Sequence, residues 1–311
     1  LIDFTDMIHQ FIEKKHLCPK FDVVFIDEAQ DLSPIQWMMY EILKANTKDM
    51  YLAGDDDQAI YAWAGADVDR FIQEPAKEVV LKKSRRVPVK VQEVSNIIIS
   101  RIEGLRADKL YHPKNEEGSL IKINNLENVD LSKDNWLILT RTINKSIEIA
   151  KQIKQKGFLF ENKYIKNFNT KLHKAAVYYS RWVDGEDLEQ TQKEDVEDYM
   201  SEDNWNELVP WYEAFDKANL EDKNYIRLLL SNKEKLTEDP RIKISTIHAA
   251  KGGECENVIL VLDNARKIRE GVLKSSKKRD EEHRVWYVGI TRSKNNLYLM
   301  RAKIERHGYN L

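Results

Sequence analysis

The chain has 311 residues, 42% of them hydrophobic and 33% charged, and its formal net charge at pH 7 is −2. This size allows two domains with hydrophobic cores, and the small net charge gives no overall electrostatic indication of a nucleic-acid partner. The two cysteines are too far apart in sequence to indicate a zinc site or disulfides, so we expect a cytoplasmic protein, and no apolar run is long enough to span a membrane.

The first elements predicted along the chain are a strand, a helix and a second strand. Residues 23–26 are a continuous apolar run, which is typical of a strand buried on both faces. Asp31 or Ser33 can cap the following helix, with Pro34 in its first turn, and residues 50–53 return as a strand. Such a crossover unit makes the two strands parallel, so both should end at the same edge of a sheet.

The rest of the chain combines further strands with a long helical segment. Residues 144–156 predict a helix that ends at Gly157. Residues 164–240 lack strand signals and carry aromatic side chains among acidic helical patterns, which indicates a helical insertion. Further strands are predicted at residues 79–81, 136–139, 242–245, 258–262 and 297–300.

Acidic residues follow both strands of the crossover unit. Asp27 and Glu28 come directly after the first strand, and residues 55–57 are three consecutive aspartates after the second. Open parallel sheets bind ligands beyond the carboxyl ends of their strands, and carboxylates placed there suit Mg²⁺ and an attacking water. Solvation or helix capping explains single acidic residues well, but it explains two neighbouring clusters poorly.

Four segments resemble the motifs of one enzyme family, in the same order along the chain. They are residues 24–31 (VFIDEAQD), 54–66 (GDDDQAIYAWAGA), 246–254 (TIHAAKGGE) and 282–292 (EHRVWYVGITR). The first resembles the Walker B motif, and the others resemble later motifs, of the UvrD/Rep/PcrA group of superfamily I DNA helicases. The resemblance extends from Asp3 to the C-terminus, apart from the helical insertion.

The resemblance implies an α/β fold with tandem RecA-like parallel-sheet domains of the P-loop NTPase type. Residues 1–78 would be the C-terminal half of the first motor domain, residues 79–163 and 241–311 the second, and residues 164–240 the insertion. The implied activity is ATP hydrolysis with Mg²⁺, which would drive 3′ to 5′ translocation on single-stranded DNA and unwinding at duplex junctions.

The same resemblance implies roles around the nucleotide. Asp27 would hold Mg²⁺, Glu28 would orient or deprotonate the attacking water, and Gln58 would sense the γ-phosphate. Arg86 and Arg292 would be arginine fingers that neutralise the transferring phosphoryl group, whereas outside its motif each arginine would be assigned to a surface salt bridge. Further nucleotide contacts are implied for Arg85, Gly252, Glu254 and Arg284.

The resemblance also implies a DNA-binding surface. Tyr61 and Trp63 would stack on bases, which suits a motor that walks along any sequence because stacking tolerates every base. Thr246 and His248 would lie near the DNA backbone. A position in the core is the alternative for either aromatic residue, and a structural role is the alternative for His248.

The chain departs from the family pattern at three positions. Ala64 stands where the family has an arginine after the stacking tryptophan, which puts one DNA-phosphate contact in question. Arg85 replaces the tyrosine that packs on the adenine, so the nucleotide preference is open, since arginine also stacks on bases. Gly253 replaces a leucine.

The largest departure is the absence of a phosphate loop, because none of the 11 glycines lies in a Gly-x-x-x-x-Gly-Lys-[Ser/Thr] pattern. In the family this loop lies upstream of the segment that begins at Asp3. The start at Leu1 within an amphipathic pattern predicts a cut inside a larger protein, so we expect the chain alone to be inactive and its partner to be its own upstream segment. The alternatives are a non-catalytic DNA-binding or scaffold protein with a helicase-like fold and the helicase arm of a helicase–nuclease.

Overall fold

The computed structural model describes residues 2–201, 205–235 and 238–311. The chain forms two compact units, of which unit 1 comprises residues up to Lys122 and from Ile247 onward, and unit 2 comprises residues from Ile123 to Thr246. The strands are β1 (Phe21–Ile26), β2 (Thr47–Leu52), β3 (Ser119–Ile123), β4 (Trp136–Thr140), β5 (Phe160–Asn162), β6 (Ile242–Thr246), β7 (Cys255–Val261) and β8 (Ser293–Met300).

The helices lie before, between and after these strands, and four of them follow one another between β5 and β6. They are α1 (Phe4–Glu13), α2 (Pro34–Ala45), α3 (Val68–Gln73), α4 (Val89–Ile99), α5 (Ile143–Gln155), α6 (Thr170–Val183), α7 (Gln190–Glu197), α8 (Trp211–Ala214), α9 (Leu220–Ser231), α10 (Arg266–Lys274) and α11 (Ser276–Ile290). None of the helices in the described ranges is long and apolar enough to cross a membrane.

The predicted crossover unit is confirmed in unit 1. Helix α2 begins at Pro34, and Ser33 and Gln36 form a reciprocal capping box at its N-terminus. Strands β1 and β2 are parallel, with Ile26 opposite Leu52. The acidic segments that follow the two strands therefore start from the same edge of the sheet.

The prediction that the first strand is buried on both faces is wrong for this chain. Phe25 is 75% exposed and Tyr51 is 53% exposed, and their rings stack with centroids 4.9 Å apart. Within the described residues, β1 pairs only with β2, in a two-stranded sheet. A continuous apolar run indicates that both faces of a strand can be buried, but it does not indicate which residues bury them.

The remainder of unit 1 is organised around α11. Strands β7 and β8 are parallel, with Val258 opposite Leu297, and they confirm the strands predicted at residues 258–262 and 297–300. Helix α11 packs against α4 and β7 and is buried continuously from Glu282 to Ile290. The strand predicted at residues 79–81 is wrong, because this segment forms no strand and two of its three side chains are exposed.

Unit 2 confirms the other predicted strands and the helical segment. Strand β6 lies between β4 and β5 and is parallel to both. Helix α5 is followed by Gly157 in a left-handed conformation, as predicted for a helix end. Helices α6 to α9 enclose an aromatic core around Tyr179. The insertion predicted at residues 164–240 is thus helical where the structure describes it, with residues 202–204 and 236–237 outside the described residues. Both units combine parallel strands with helices, which confirms the α/β class.

Candidate nucleotide and nucleic-acid site

The carboxyl end of β1 presents two exposed carboxylates on a turn with unusual backbone geometry. Glu28 has a φ of 53°, in the left-handed region, and its backbone N–H donates to Asp27 Oδ1 at 2.9 Å. A non-glycine residue is uncommon in this region, and such strain is concentrated at functional sites. The turn fixes both carboxylates beside the end of the strand, where the sequence predicted them.

Gln30 connects the ends of the two strands. Its side-chain carbonyl accepts from the backbone N–H of Asp55 at 3.0 Å, and its amide nitrogen donates to Glu28. Gln30 is completely buried. The carboxylate of Glu28 is therefore tied to the turn after β2, a contact that the sequence analysis missed although Gln30 lies inside the first motif.

Lys251 brings a positive charge to the same carboxylates. Its ammonium group lies 3.1 Å from Glu28 Oε2 and also pairs with Asp31, and its side chain is almost buried. Burial raises the pKa of Asp31, and the hydrogen bond and charge of Lys251 offset part of that rise. Gly252 follows with a φ of 83°, which favours glycine. Lys251 lies within the motif at residues 246–254, but the sequence assigned it no role.

Gln58 lies between a carboxylate and an arginine. Its amide nitrogen donates to Asp55 Oδ2 at 2.7 Å, and its carbonyl accepts from Arg292 Nη2 at 3.0 Å. Arg292 is 1% exposed, and its Nε donates to the backbone carbonyl of Val288 at 2.9 Å. Burial, with the nearby charge of Arg86, lowers the pKa of Arg292 to about 10, so the guanidinium stays charged at neutral pH.

The three aspartates after β2 are neutralised by side chains from residues 106–109. Arg106 forms a two-pronged salt bridge with Asp57, with distances of 2.7 and 2.9 Å. Lys109 pairs with all three carboxylates, the contact to Asp55 being 2.6 Å. We expected both acidic clusters to suit a metal cation. That expectation is wrong for the second cluster, because its carboxylates are already paired with two basic side chains. Neither basic residue was found from the sequence.

The end of β1 fits a Mg²⁺ ion that phosphates help to hold. Asp27 is exposed, and Mg²⁺ is usually bound by one or two carboxylates together with substrate phosphates and water. No group of three or more His, Cys, Asp or Glu side chains in the described part of the chain could hold a metal ion. The donor set therefore suits a metal that arrives with a nucleotide rather than a metal caged by protein alone.

Arg86 is weakly engaged compared with Arg292. Its Nη1 lies 3.7 Å from Glu254 Oε2, and its buried Nε has no hydrogen-bond partner within the described residues. Glu254 also lies 3.5 Å from the ammonium group of Lys294. A cavity of about 690 Å³ in unit 1 is lined in part by Arg86 and Gln58. A guanidinium with unused hydrogen-bond donors on the wall of a cavity suits the binding of an anion.

The other predicted nucleotide contacts are spread over different environments. Arg85 is exposed. Arg284 is 5% exposed, its Nη2 donates to the carbonyl of Leu105 at 3.1 Å, and its Nε has no partner within the described ranges. The structure gives Arg284 a packing role, and its nucleotide role stays a prediction.

The predicted DNA-binding residues of unit 1 form one group. The Tyr61 hydroxyl donates to the backbone carbonyl of His248 at 3.0 Å, and Lys251 Nζ lies 5.3 Å from the centre of the Tyr61 ring. Trp63 is 75% exposed, so it is not a core residue, and its ring lies edge-on to Tyr61. Thr246 ends β6 and is buried in unit 2.

Two family models match separate parts of the chain. The model of the UvrD/REP helicase N-terminal domain matches residues 1–78, and that of the UvrD-like helicase C-terminal domain matches residues 162–303. The two matched ranges contain the acidic turns, Gln58, Tyr61 and Arg292. Residues 79–161, which carry Arg86 and Lys109, lie between the matched ranges.

Several bacterial helicases are similar to parts of the chain. DNA helicase II of Escherichia coli is 30% identical over 124 residues, which are 36% of this chain and 17% of that protein. The ATP-dependent DNA helicase Rep of Buchnera aphidicola is 25% identical over 193 residues, 58% of this chain and 28% of that protein. The ATP-dependent DNA helicase PcrA of Bacillus subtilis is 26% identical over 130 residues, 38% of this chain and 18% of that protein.

The chain thus spans less than a third of the length of each of these relatives. The matched models, the similar helicases and the parallel α/β architecture agree with the four motifs. The chain belongs to the UvrD-like superfamily I helicases.

Proposed function

We propose that this chain is the part of an ATP-dependent DNA helicase that senses the γ-phosphate and grips single-stranded DNA. The observation that carries the proposal is the hydrogen bond from Arg292 to Gln58. It joins a polar residue that follows β2 to a buried cation at the end of α11, beside a cavity large enough for a nucleotide. Phosphoryl transfer depends mainly on positioning and charge neutralisation, which such a pair supplies.

Each side chain of the proposed site has a role that its surroundings support. Glu28 would orient the attacking water and accept its proton, and the left-handed turn holds its carboxylate at the strand end. Asp27 would bind Mg²⁺, which would neutralise phosphate charge when bound. Gln58 would contact the γ-phosphate, while Arg86 and Arg292 would neutralise charge on it. The buried Nε of Arg86, which has no hydrogen-bond partner among the described residues, supports that role.

The DNA-binding group is connected to the proposed water-positioning carboxylate through Lys251. The ammonium group lies over the Tyr61 ring and contacts Glu28 at 3.1 Å. A base that stacks on Trp63 would press on Tyr61, which lies edge-on to it. Binding of single-stranded DNA would thereby move Lys251 relative to Glu28 and change the rate of hydrolysis. Translocation would run 3′ to 5′, as the family resemblance implies.

We further propose the division of the chain into residues 1–78, the second motor domain at residues 79–163 and 241–311, and the insertion at residues 164–240. The 311 residues contain no phosphate loop, and in P-loop enzymes that loop and its lysine cradle the β- and γ-phosphates. The proposed activity therefore requires a phosphate-loop segment in addition to these residues.

The proposed function is tested by strand displacement. The chain would be joined at its first residue to the phosphate-loop segment of a UvrD-like helicase and mixed with ATP, Mg²⁺ and duplexes that carry a 3′ or a 5′ single-stranded tail. We expect unwinding of the 3′-tailed duplex and little unwinding of the 5′-tailed one. Tight binding of both duplexes without any ATP-dependent unwinding would instead favour a non-catalytic DNA-binding protein.

A further inference from the structure

Lys109 is a buried cation that the motifs do not include. It lies in the segment between α4 and β3 that has no helix or strand, and its side chain is 5% exposed. Its ammonium group contacts Asp55 at 2.6 Å, Asp57 at 3.4 Å and also Asp56. A buried lysine is costly unless carboxylates surround it, and these three do so.

A continuous series of hydrogen bonds leads from Lys109 to Arg292. Lys109 binds Oδ1 of Asp55, and the other oxygen, Oδ2, accepts from the amide nitrogen of Gln58 at 2.7 Å. The carbonyl of the same amide accepts from Arg292 at 3.0 Å. Carboxylates only accept and guanidinium groups only donate, so these two neighbours allow one orientation of the Gln58 amide.

The orientation of Gln58 depends on the position of Asp55, and Lys109 fixes that position. Without Lys109, three consecutive carboxylates would repel one another with only Arg106 to balance them. The backbone N–H of Asp57 would still donate to Asp55 Oδ1 at 3.2 Å, but the carboxylate of Asp55, which is the most exposed of the three, would lose its ion pair with Lys109 and turn toward solvent. Gln58 would lose the acceptor that holds its amide nitrogen.

We infer that Lys109 is a positioning residue that holds Gln58, through Asp55, in the orientation that presents the Gln58 amide to Arg292 and the nucleotide. The inference rests on the proposed function for its catalytic meaning. Its structural content, that the charge of Lys109 sets the orientation of a side chain it does not touch, stands independently of hydrolysis.

Arg106 is a matched control in the same cluster. It pairs with Asp57 through both carboxylate oxygens, and within the described residues no hydrogen bond or salt bridge joins it to Asp55 or Gln58. Replacing Arg106 removes one positive charge from the cluster, as replacing Lys109 does. If the cluster only stabilises the fold, the two replacements should affect Gln58 equally. If Lys109 positions Gln58, only its replacement should.

The test follows the side-chain amide of Gln58 by NMR in this chain, without nucleotide. The signals are assigned by their loss in Gln58→Ala, using nitrogen-labelled glutamine. We expect Lys109→Met to shift both amide protons and to speed their exchange with water roughly tenfold or more, as expected for the loss of a hydrogen bond to a charged group. Arg106→Met should leave the shifts and the exchange rate close to those of the parent chain.

A charge-balanced variant covers the case in which Lys109→Met does not fold. Lys109→Met combined with Asp56→Asn removes one charge of each sign, and Asp56→Asn alone is its control. The combined variant should reproduce the fast exchange of Gln58, and the control should not. Parent-like Gln58 signals in a folded Lys109 variant, or equal changes in the Arg106 variant, would overturn the inference. Because no signal depends on ATP, this result is separate from the test of hydrolysis.

Discussion

Arg292 Nη2 donates to Gln58 Oε1 at 3.0 Å, although the two residues lie 234 positions apart in the sequence. Gln58 follows a strand of the first crossover unit, and Arg292 follows α11. Arg292 is held at the same time by backbone carbonyls of Val288 and Gly253. The contact therefore connects the turn after β2 to the last motif through a single buried guanidinium.

The first prediction compares the two proposed arginine fingers in a chain that carries a phosphate loop. Arg292→Ala and Arg86→Ala should each lower ATP turnover by on the order of 10³ or more. Arg292→Ala should also lower the free energy of unfolding by about 1–3 kcal/mol, because buried acceptors lose their donor. Arg86→Ala should cost less than about 1 kcal/mol, since its 3.7 Å salt bridge is partly exposed.

Turnover assays and thermal melting of the same preparations check this prediction. DNA affinity should stay near that of the parent in both variants, which separates a catalytic loss from a failure to bind. A fall in turnover of less than about tenfold in both would mean that the arginines are structural.

The second prediction concerns the exposed Trp63. Because the side chain is 75% exposed, Trp63→Ala should hardly change the melting temperature. It should weaken single-stranded DNA binding by about 1–3 kcal/mol, the contribution of one stacked base. Titration with a labelled oligonucleotide measures the affinity. A variant that melts normally and binds DNA like the parent would refute the stacking role.

The third prediction uses the neighbouring Ala64, which is exposed. Ala64→Arg should tighten DNA binding and make the slope of log affinity against log salt steeper by about 0.7, the value for one added phosphate contact on a single strand. Ala64→Gln is the uncharged control and should leave the slope unchanged. The same slope in both variants would show that position 64 does not face the DNA backbone.

The fourth prediction concerns stability against pH. Burial alone would raise the pKa of Asp55, but the charge of Lys109 and the hydrogen bonds from Lys109 and Gln58 hold that pKa below its usual value. Ionised Asp55 therefore stabilises the fold at neutral pH, and this contribution is lost as the pH falls through the folded pKa.

In Lys109→Met the buried carboxylate loses the charge and the hydrogen bond of Lys109, so its pKa rises and its ionised form stabilises the fold less. The melting temperature of the variant should fall furthest below that of the parent near pH 7, and the gap should shrink as the pH falls below about 4, through the lowered pKa of Asp55 in the parent. Burial already raises the pKa of Asp57, and the loss of the Lys109 charge should raise it further in the variant. A gap that is constant with pH would contradict the assignment.

The motifs predicted the parts of the site that depend on local sequence. The acidic turns at the strand ends follow from apolar strands and a parallel crossover, and Ser33 and Pro34 marked the start of α2. These elements needed no knowledge of the tertiary structure beyond the order of the strands. The family resemblance implied that Gln58 and Arg292 both act on the nucleotide, but the hydrogen bond between them was not predicted, because neither residue carries a local signal for the other.

Other features depended on long-range packing that a sequence does not display. Lys109 and Arg106 come from a segment without regular structure, so no periodicity indicated that they would meet the aspartates after β2. The exposure of Phe25 depends on what covers β1, and the strand predicted at residues 79–81 lacked a partner. Apolar, β-branched runs favour strands, but pairing decides whether a strand forms.

The central claim is most directly tested by ATP turnover with single-stranded DNA and Mg²⁺, measured for the 311-residue chain alone and for the chain joined to a phosphate-loop segment. We expect no turnover by the chain alone, and turnover by the joined protein that requires Mg²⁺ and rises with DNA. Arg292→Ala should abolish the turnover of the joined protein. Robust hydrolysis by the chain alone, or hydrolysis by the joined protein that survives Arg292→Ala, would show that the proposed function is wrong.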